Sequence, residues 1–236
     1  MHQLGHHFLL TPDTFVRAPL PGMRHATAIV HAAPAIGAKF CQYTAEFEAG
    51  GSLGDASGER FLFVVEGEVS VIAGRKTRQL AVNGYAFLPA GMKHEVQSSG
   101  VARAVVIEKT FIPLKGEKPP QPVFGNERDI APQALMGDRD LEVRSMIPSD
   151  FSYDLAVNTM TFQPGATLPI VEIHVMEHGL LMLDGGGIYR LGDRWYPVSA
   201  GDFIWMAPYC PQWFGALGKT PARYLIYKDW NRHPLG

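Results

Sequence analysis

The sequence predicts an all-β protein built from two similar halves. Three observations predict it: short β-branched and aromatic runs, turn residues between them, and a self-match at an offset of 118 residues. Gly and Pro, 25 and 18 residues, are spread through the chain well above the ~12% of average usage, as many short turns require.

In chain order, Arg60 to Ile72 (RFLFVVEGEVSVI) reads as two strands around a turn, followed by Tyr85 to Pro89 and Ala102 to Ile107. In the second half, Leu155 to Phe162 alternates. His178 to Leu183, Ile188 to Leu191, Phe203 to Met206 and Arg223 to Lys228 follow, each bounded by Gly, Pro or Asp. No window keeps a 3.6-residue apolar period for more than two or three turns. Asn126 to Leu135 comes nearest, and Pro132 argues against a long helix there. The architecture expected is a sandwich or barrel.

The repeat sets RFLFVVEG (Arg60 to Gly67) above HGLLMLDG (His178 to Gly185), each ending in an acidic residue and Gly. Gly84 then lies 17 residues after Gly67, and Gly201 lies 16 after Gly185. GYAFLPAGMKH parallels GDFIWMAPYCPQ with one residue of slip. Pro113 to Pro122, with LKGEKPPQ at its centre, reads as a linker. The expected division is a first domain over 1–115, a linker over 116–125 and a second domain over 126–236.

Composition narrows the function. Among 236 residues, 46% are hydrophobic and 19% charged, a globular balance, and 21 Lys and Arg against 23 Asp and Glu leave a formal charge of −2. Nothing here steers toward nucleic acid or an anionic membrane. Apolar runs such as Leu180 to Leu183 fall far short of the ~18 residues of a membrane-spanning helix. Two cysteines, Cys41 and Cys210, exclude a disulfide framework. Residues 1–10 lack the pattern of a secretory signal, so the cytoplasm is the expected compartment.

The segment VEIHVMEHG (Val171 to Gly179) carries the chemistry. On a strand, Glu172, His174 and His178 share one face with Leu180 and Met182, which places them inside the barrel. A divalent cation would satisfy all three, and two imidazoles with a carboxylate suit Mn, Fe, Co, Ni or Zn. Glu177 has the opposite parity and is expected in solvent; Met176 is expected to pack.

These residues carry a resemblance. The second half resembles a cupin, whose pattern is G-x5-HxH-x3,4-E-x6-G followed by G-x5-PxG-x2-H-x3-N. In Gly165 to Gly185, Glu172 stands where the first His is usual, His174 keeps the second, and His178 stands where Glu is usual; Gln212 replaces the last His. This permuted set is similar to the (S)-ureidoglycine aminohydrolases, a two-cupin family of purine catabolism. His178 to Phe214, Tyr224 to Arg232, Leu20 to Gly22 and Gly37 to Gly51 resemble that family as well. The resemblance implies two tandem cupin (double-stranded β-helix, jelly-roll) domains. It also implies one Mn²⁺ per chain held by Glu172, His174, His178 and Gln212, and conversion of (S)-ureidoglycine and water to (S)-ureidoglycolate and ammonia. Four protein ligands on an octahedral ion leave two positions for substrate or water, as a catalytic metal needs.

Against Glu172, His174 and His178 the first half offers Gly54, Ala56 and Arg60, and only His94 falls opposite Gln212. The first cupin is therefore expected to be metal-free and structural, with His94 a satisfied surface or rim histidine. Tyr224, Ile226 and Lys228 share a strand face; if it points inward, Lys228 enters the barrel with a depressed pKa and can shuttle protons. The resemblance implies that Tyr224 and Lys228 contact substrate, with Tyr189 a third contact and Glu172 beside them. It also implies a second acidic pocket residue, for which Glu142 is a weak candidate. Cys210 is expected to be buried and apolar, and Trp205, Trp213 and Phe214 to wall the pocket. The expected partners are a small-molecule substrate and further copies of the chain, because cupins commonly pair sheets edge to edge, with no nucleic acid and no membrane. Alternatives left open are a non-haem Fe(II) cupin dioxygenase and a non-catalytic ligand-binding bicupin.

Overall fold

In the computed structural model, which describes residues 6–233, the acidic–Gly pairs that end the two repeated runs are tight turns of one geometry. Gly67 has φ +70° and Gly185 φ +64°, in the left-handed region that only Gly enters without strain. A Cβ on Gly67 would lie 2.4 Å from the Val101 carbonyl oxygen, and one on Gly185 would lie 2.5 Å from that of Pro221. The repeat is therefore one of backbone shape as well as residue type.

The all-β, cupin-type reading holds. Among the described residues the only helical turns are 3₁₀ segments at Pro12–Thr14, Pro34–Ile36 and Glu127–Asp129. Expected strands appear at Glu59–Glu66, Glu68–Ala73, Gly84–Leu88, Ala102–Lys109, Leu155–Phe162, His178–Asp184, Gly186–Leu191, Phe203–Met206 and Ala222–Asp229. No helix among the described residues is long and apolar enough to cross a membrane.

The chain forms two compact units, divided differently from the expected 1–115, 116–125 and 126–236. The first unit is Phe15–Asp129; the second joins the start of the chain, up to Thr14, to Ile130 onward. Two strands cause the difference. Val123–Asn126, partly within the expected linker, pairs antiparallel with Gly84–Leu88 in the first unit. His7–Leu10, expected in the first domain, pairs with Phe203–Met206 in the second. Each covers an edge whose backbone N–H and C=O groups would otherwise lack partners.

Within the second unit a seven-stranded sheet places His178–Asp184 between Phe203–Met206 and Ala222–Asp229. A three-stranded sheet of Arg194–Ser199, Gly186–Leu191 and Gln212–Ala216 supplies the other wall. Leu180, Met182, Ile204, Met206 and Ile226 from the first sheet meet Tyr189, Leu191 and Phe214 from the second in one buried core. In the first unit a ten-stranded sheet encloses a matching core that includes Leu62, Val64, Val71, Leu88, Val96 and Val106. Alternation along each strand sends these side chains inward.

Gly185→Ala and Gly67→Ala should each cost about 1–3 kcal/mol, from positive φ plus overlap with a carbonyl oxygen. Gly137→Ala, at φ +84° with nothing within 4 Å of the added Cβ, should cost less because only the strain remains. Urea unfolding midpoints would show the ranking, and equal midpoints for all three variants would contradict it.

Candidate metal centre and substrate pocket

The segment 171–178 is not the continuous strand its alternation suggests. Glu172 forms an isolated bridge with Gln212, and His178 begins the strand His178–Asp184, while 173–177 are irregular. No neighbouring strand runs along 173–177 to complete a ladder, so apolar Ile and Val residues alone do not make one. A trace of the alternation survives: Ile173 is 59% exposed, whereas Glu172 and His174 are half-buried. The Tyr209 N–H donates to the His174 carbonyl at 2.6 Å and pins the loop.

Two backbone hydrogen bonds fix Glu172 against Gln212: Glu172 N–H to Gln212 O at 2.8 Å, and Gln212 N–H to Glu172 O at 2.9 Å. His174 Nε2 lies 3.1 Å from Glu172 Oε2, and the His174 and His178 ring centroids are 5.2 Å apart. The Gln212 side chain is buried, and its Oε1 accepts the Tyr189 hydroxyl at 2.8 Å. Among the described residues no group of three or more His, Cys, Asp or Glu forms a ready metal cage. The structure instead gives two pairs that share His174, with Gln212 tied to Glu172 through the backbone.

His178 is the most informative member. It is 1% exposed, and its Nδ1–H donates to the Glu177 carbonyl at 2.7 Å. That bond leaves the lone pair on Nε2, which is buried without a hydrogen-bond partner. Burial, with the Lys228 charge second, lowers its pKa to about 3, so the ring is neutral at physiological pH. A neutral imidazole fixed by a backbone carbonyl, with a free buried lone pair, fits a metal ligand.

Lys228 stands directly across from His178 in the strand register. Tyr224 and Ile226 of the same strand lie in the core, so that face is the inner one. Burial lowers the Lys228 pKa, opposed by the Glu172 carboxylate. Lys228 makes no hydrogen bond or ion pair among the described residues. Tyr224 and Tyr189 are fully enclosed, and burial raises both hydroxyl pKa values well above the ordinary value, with the Glu172 charge adding to each. Tyr189 is committed to Gln212, whereas the Tyr224 hydroxyl meets only the Met160 sulfur, at 3.3 Å.

Several expectations need correction. Glu177 has the predicted parity but is buried at 2%, because Trp205 covers it and donates from Nε1 to its Oε2 at 3.1 Å. Trp205 therefore faces away from the pocket, stacked on Phe8 of the added edge strand. Trp213 bonds the Leu168 carbonyl and meets Trp195 edge to face, while Phe214 lies in the core. Glu142 pairs with Arg144 at 3.0 Å, and its neighbour Leu141 is the core residue. Cys210 is buried, as expected, and burial raises its thiol pKa. His94 in the first unit is neither a surface nor a rim residue. It is buried, donates from Nδ1 to the Met92 carbonyl at 2.7 Å, and accepts Arg60 Nη1 on Nε2 at 2.8 Å. The Glu177 carbonyl behind His178 is a positioning group that side-chain reasoning missed. Backbone acceptors carry no residue signal, and only its place next to a candidate ligand hinted at it.

Comparison with known proteins gives a consistent picture. The cupin domain family matches residues 158–227. The (S)-ureidoglycine aminohydrolase of Arabidopsis thaliana is 42% identical over 97% of this chain and 77% of its own length. That of Escherichia coli K12 is 31% identical over 97% of this chain and 90% of its own. The crystal structure of the E. coli protein Ylba superposes with a TM-score of 0.87 at 28% identity, covering 99% of this chain and 94% of that one. With relatives of that identity over nearly its whole length, the chain belongs to the (S)-ureidoglycine aminohydrolase family.

Proposed function

We propose that the second unit converts (S)-ureidoglycine and water to (S)-ureidoglycolate and ammonia, a step of purine catabolism. Family membership makes the protein a hydrolase acting on a C–N bond. The observation that carries the site assignment is the buried, unpartnered Nε2 of His178, opposite a half-buried and unpaired Lys228. Glu172, His174, His178 and Gln212 would hold one divalent metal, with Mn²⁺ the assignment carried by the family resemblance. Bound there, the metal would supply positive charge to the substrate carboxylate and α-amine and fix the geometry at the carbon between them.

The chain's own residues do the rest. Lys228 Nζ, with its ammonium form disfavoured by burial, gives a proton to the departing nitrogen as the C–N bond breaks. A water oxygen forms the new C–O bond, and its surplus proton returns to Nζ. Tyr224, whose hydroxyl has only a sulfur partner, orients the ureido group; Tyr189 holds the Gln212 amide by donating to its oxygen. Leu180 and Ile226, on the same inner face as His178 and Lys228, make the surroundings of the lysine apolar. The protein is further expected to act in the cytoplasm and as a homo-oligomer.

Lys228→Met keeps the apolar stem and removes the amine, so kcat should fall roughly 10²–10⁴-fold while fold and metal survive. If Lys228 instead only paired with the substrate carboxylate, KM would rise with kcat nearly intact and Lys228→Arg would partly substitute. His178→Ala should abolish a metal content close to one per chain in the folded protein, measured by elemental analysis. Two metals per chain in the wild type would contradict an empty first unit. Tyr189→Phe should weaken metal affinity about 10–100-fold in a chelator competition, the usual worth of a group that orients a ligand. His94→Ala should leave metal content unchanged and cost less than about tenfold in rate, ~1.4 kcal/mol; complete inactivity of the folded, loaded variant would place a site there.

A further inference from the structure

In the first unit the positions that correspond to the proposed metal centre are filled by a network around one side chain. The offset of 118 residues sets Gly54, Arg60 and His94 against Glu172, His178 and Gln212. Strand register adds a fourth: Glu108 lies across from Arg60 as Lys228 lies across from His178. Arg60 is 5% exposed at its side chain. Its Nη1 donates to the Gly54 carbonyl and to His94 Nε2, both at 2.8 Å. Its Nε and Nη2 reach Glu108 Oε1 at 2.8 and 2.7 Å, and the Tyr43 hydroxyl joins the same oxygen at 2.9 Å.

We infer that the first unit contains a cation site whose occupant is its own Arg60 guanidinium, placed where the second unit would hold a metal. This rests on the proposed metal centre for the comparison, but the network stands by itself. Each corresponding position contributes: Gly54 a carbonyl oxygen in place of the Glu172 carboxylate, His94 a ring nitrogen in place of the Gln212 amide, and Arg60 the cation. The charge pattern is inverted. A neutral imidazole beside a lysine in the second unit becomes a fixed cation beside a glutamate in the first. His94 presents its Nε2 lone pair to the guanidinium just as His178 presents its own toward the proposed centre, each ring having its Nδ1–H held by a backbone carbonyl. The site is shaped for a planar, charged donor and satisfies it without an external ion. A cavity of about 310 Å³, lined in part by Arg60, Glu108, Tyr43 and Asp55, gives small molecules access to it.

Chemical rescue tests this. Arg60→Ala should lower the melting temperature by about 5–15 °C, the consequence of leaving Glu108 without its buried partner. A few millimolar guanidinium chloride should recover at least half of that loss and leave the wild type unchanged. Urea, which has nearly the same shape without the charge, and sodium chloride should recover none. Equal recovery by urea or sodium chloride, no recovery by guanidinium, or no initial loss would each overturn the inference. Should Arg60→Ala not fold, Glu108→Gln tests the same network: its melting temperature should fall by several degrees, and an unchanged value would overturn the inference. Metal content measured on the same wild-type sample separates the two ideas, because a wild type without metal would count against the proposed centre and leave the rescue result standing.

Discussion

An inward-facing polar residue at the end of a barrel strand must be matched from the strand across from it, and both units depend on how that demand is met. In the first unit Arg60 and Glu108 meet it internally, in a network whose contacts run from 2.7 to 2.9 Å. In the second, His178 and Lys228 occupy the corresponding pair of positions and leave a ring nitrogen without a partner. Buried polar groups left this way destabilise the apo fold. The surrounding core of Leu180, Met182, Ile204, Met206 and Ile226 offsets the cost by burying apolar surface. The proposed centre would give that nitrogen of His178 its partner.

The groups around His178 differ in how firmly they are held. His178, Lys228, Tyr189 and Gln212 all sit on paired strands. Glu172 is fixed through its backbone by a single bridge, and His174 lies on the irregular stretch beyond it. In the proposed centre His178 and Gln212 would be the firmly held members, and Glu172 and His174 the more loosely held ones.

The edge strand His7–Leu10 reaches the site through the opposite face of the sheet. Phe8 stacks on Trp205, Trp205 donates to Glu177, and the Glu177 N–H is held by Asp229 Oδ1 at 2.7 Å. The carbonyl of the same Glu177 residue fixes the His178 tautomer. Covering a sheet edge and orienting a ring thus become parts of one chain of contacts.

Residue type and spacing were enough to find most of the strands and the repeat with its two acidic–Gly ends, and to nominate Glu172, His174, His178 and Lys228, with Gln212 added by the family resemblance, because burial periodicity and ligand chemistry are local properties of side chains. The inner face of the last strand followed the same rule, with Tyr224, Ile226 and Lys228 turned inward together. Other features depended on partners distant in sequence. Whether Val171 to Glu177 forms a strand depends on a neighbouring edge, and only Gln212 offers one. Whether Glu177 is solvated depends on Trp205, and the unit boundaries depend on which sheet edges Val123–Asn126 and His7–Leu10 complete. The exposure of His94 depended on Arg60, 34 residues away. Strand alternation says which side of a sheet a residue takes, but only the tertiary structure decides what covers that side, because hydrogen-bond satisfaction is settled between segments and not within them.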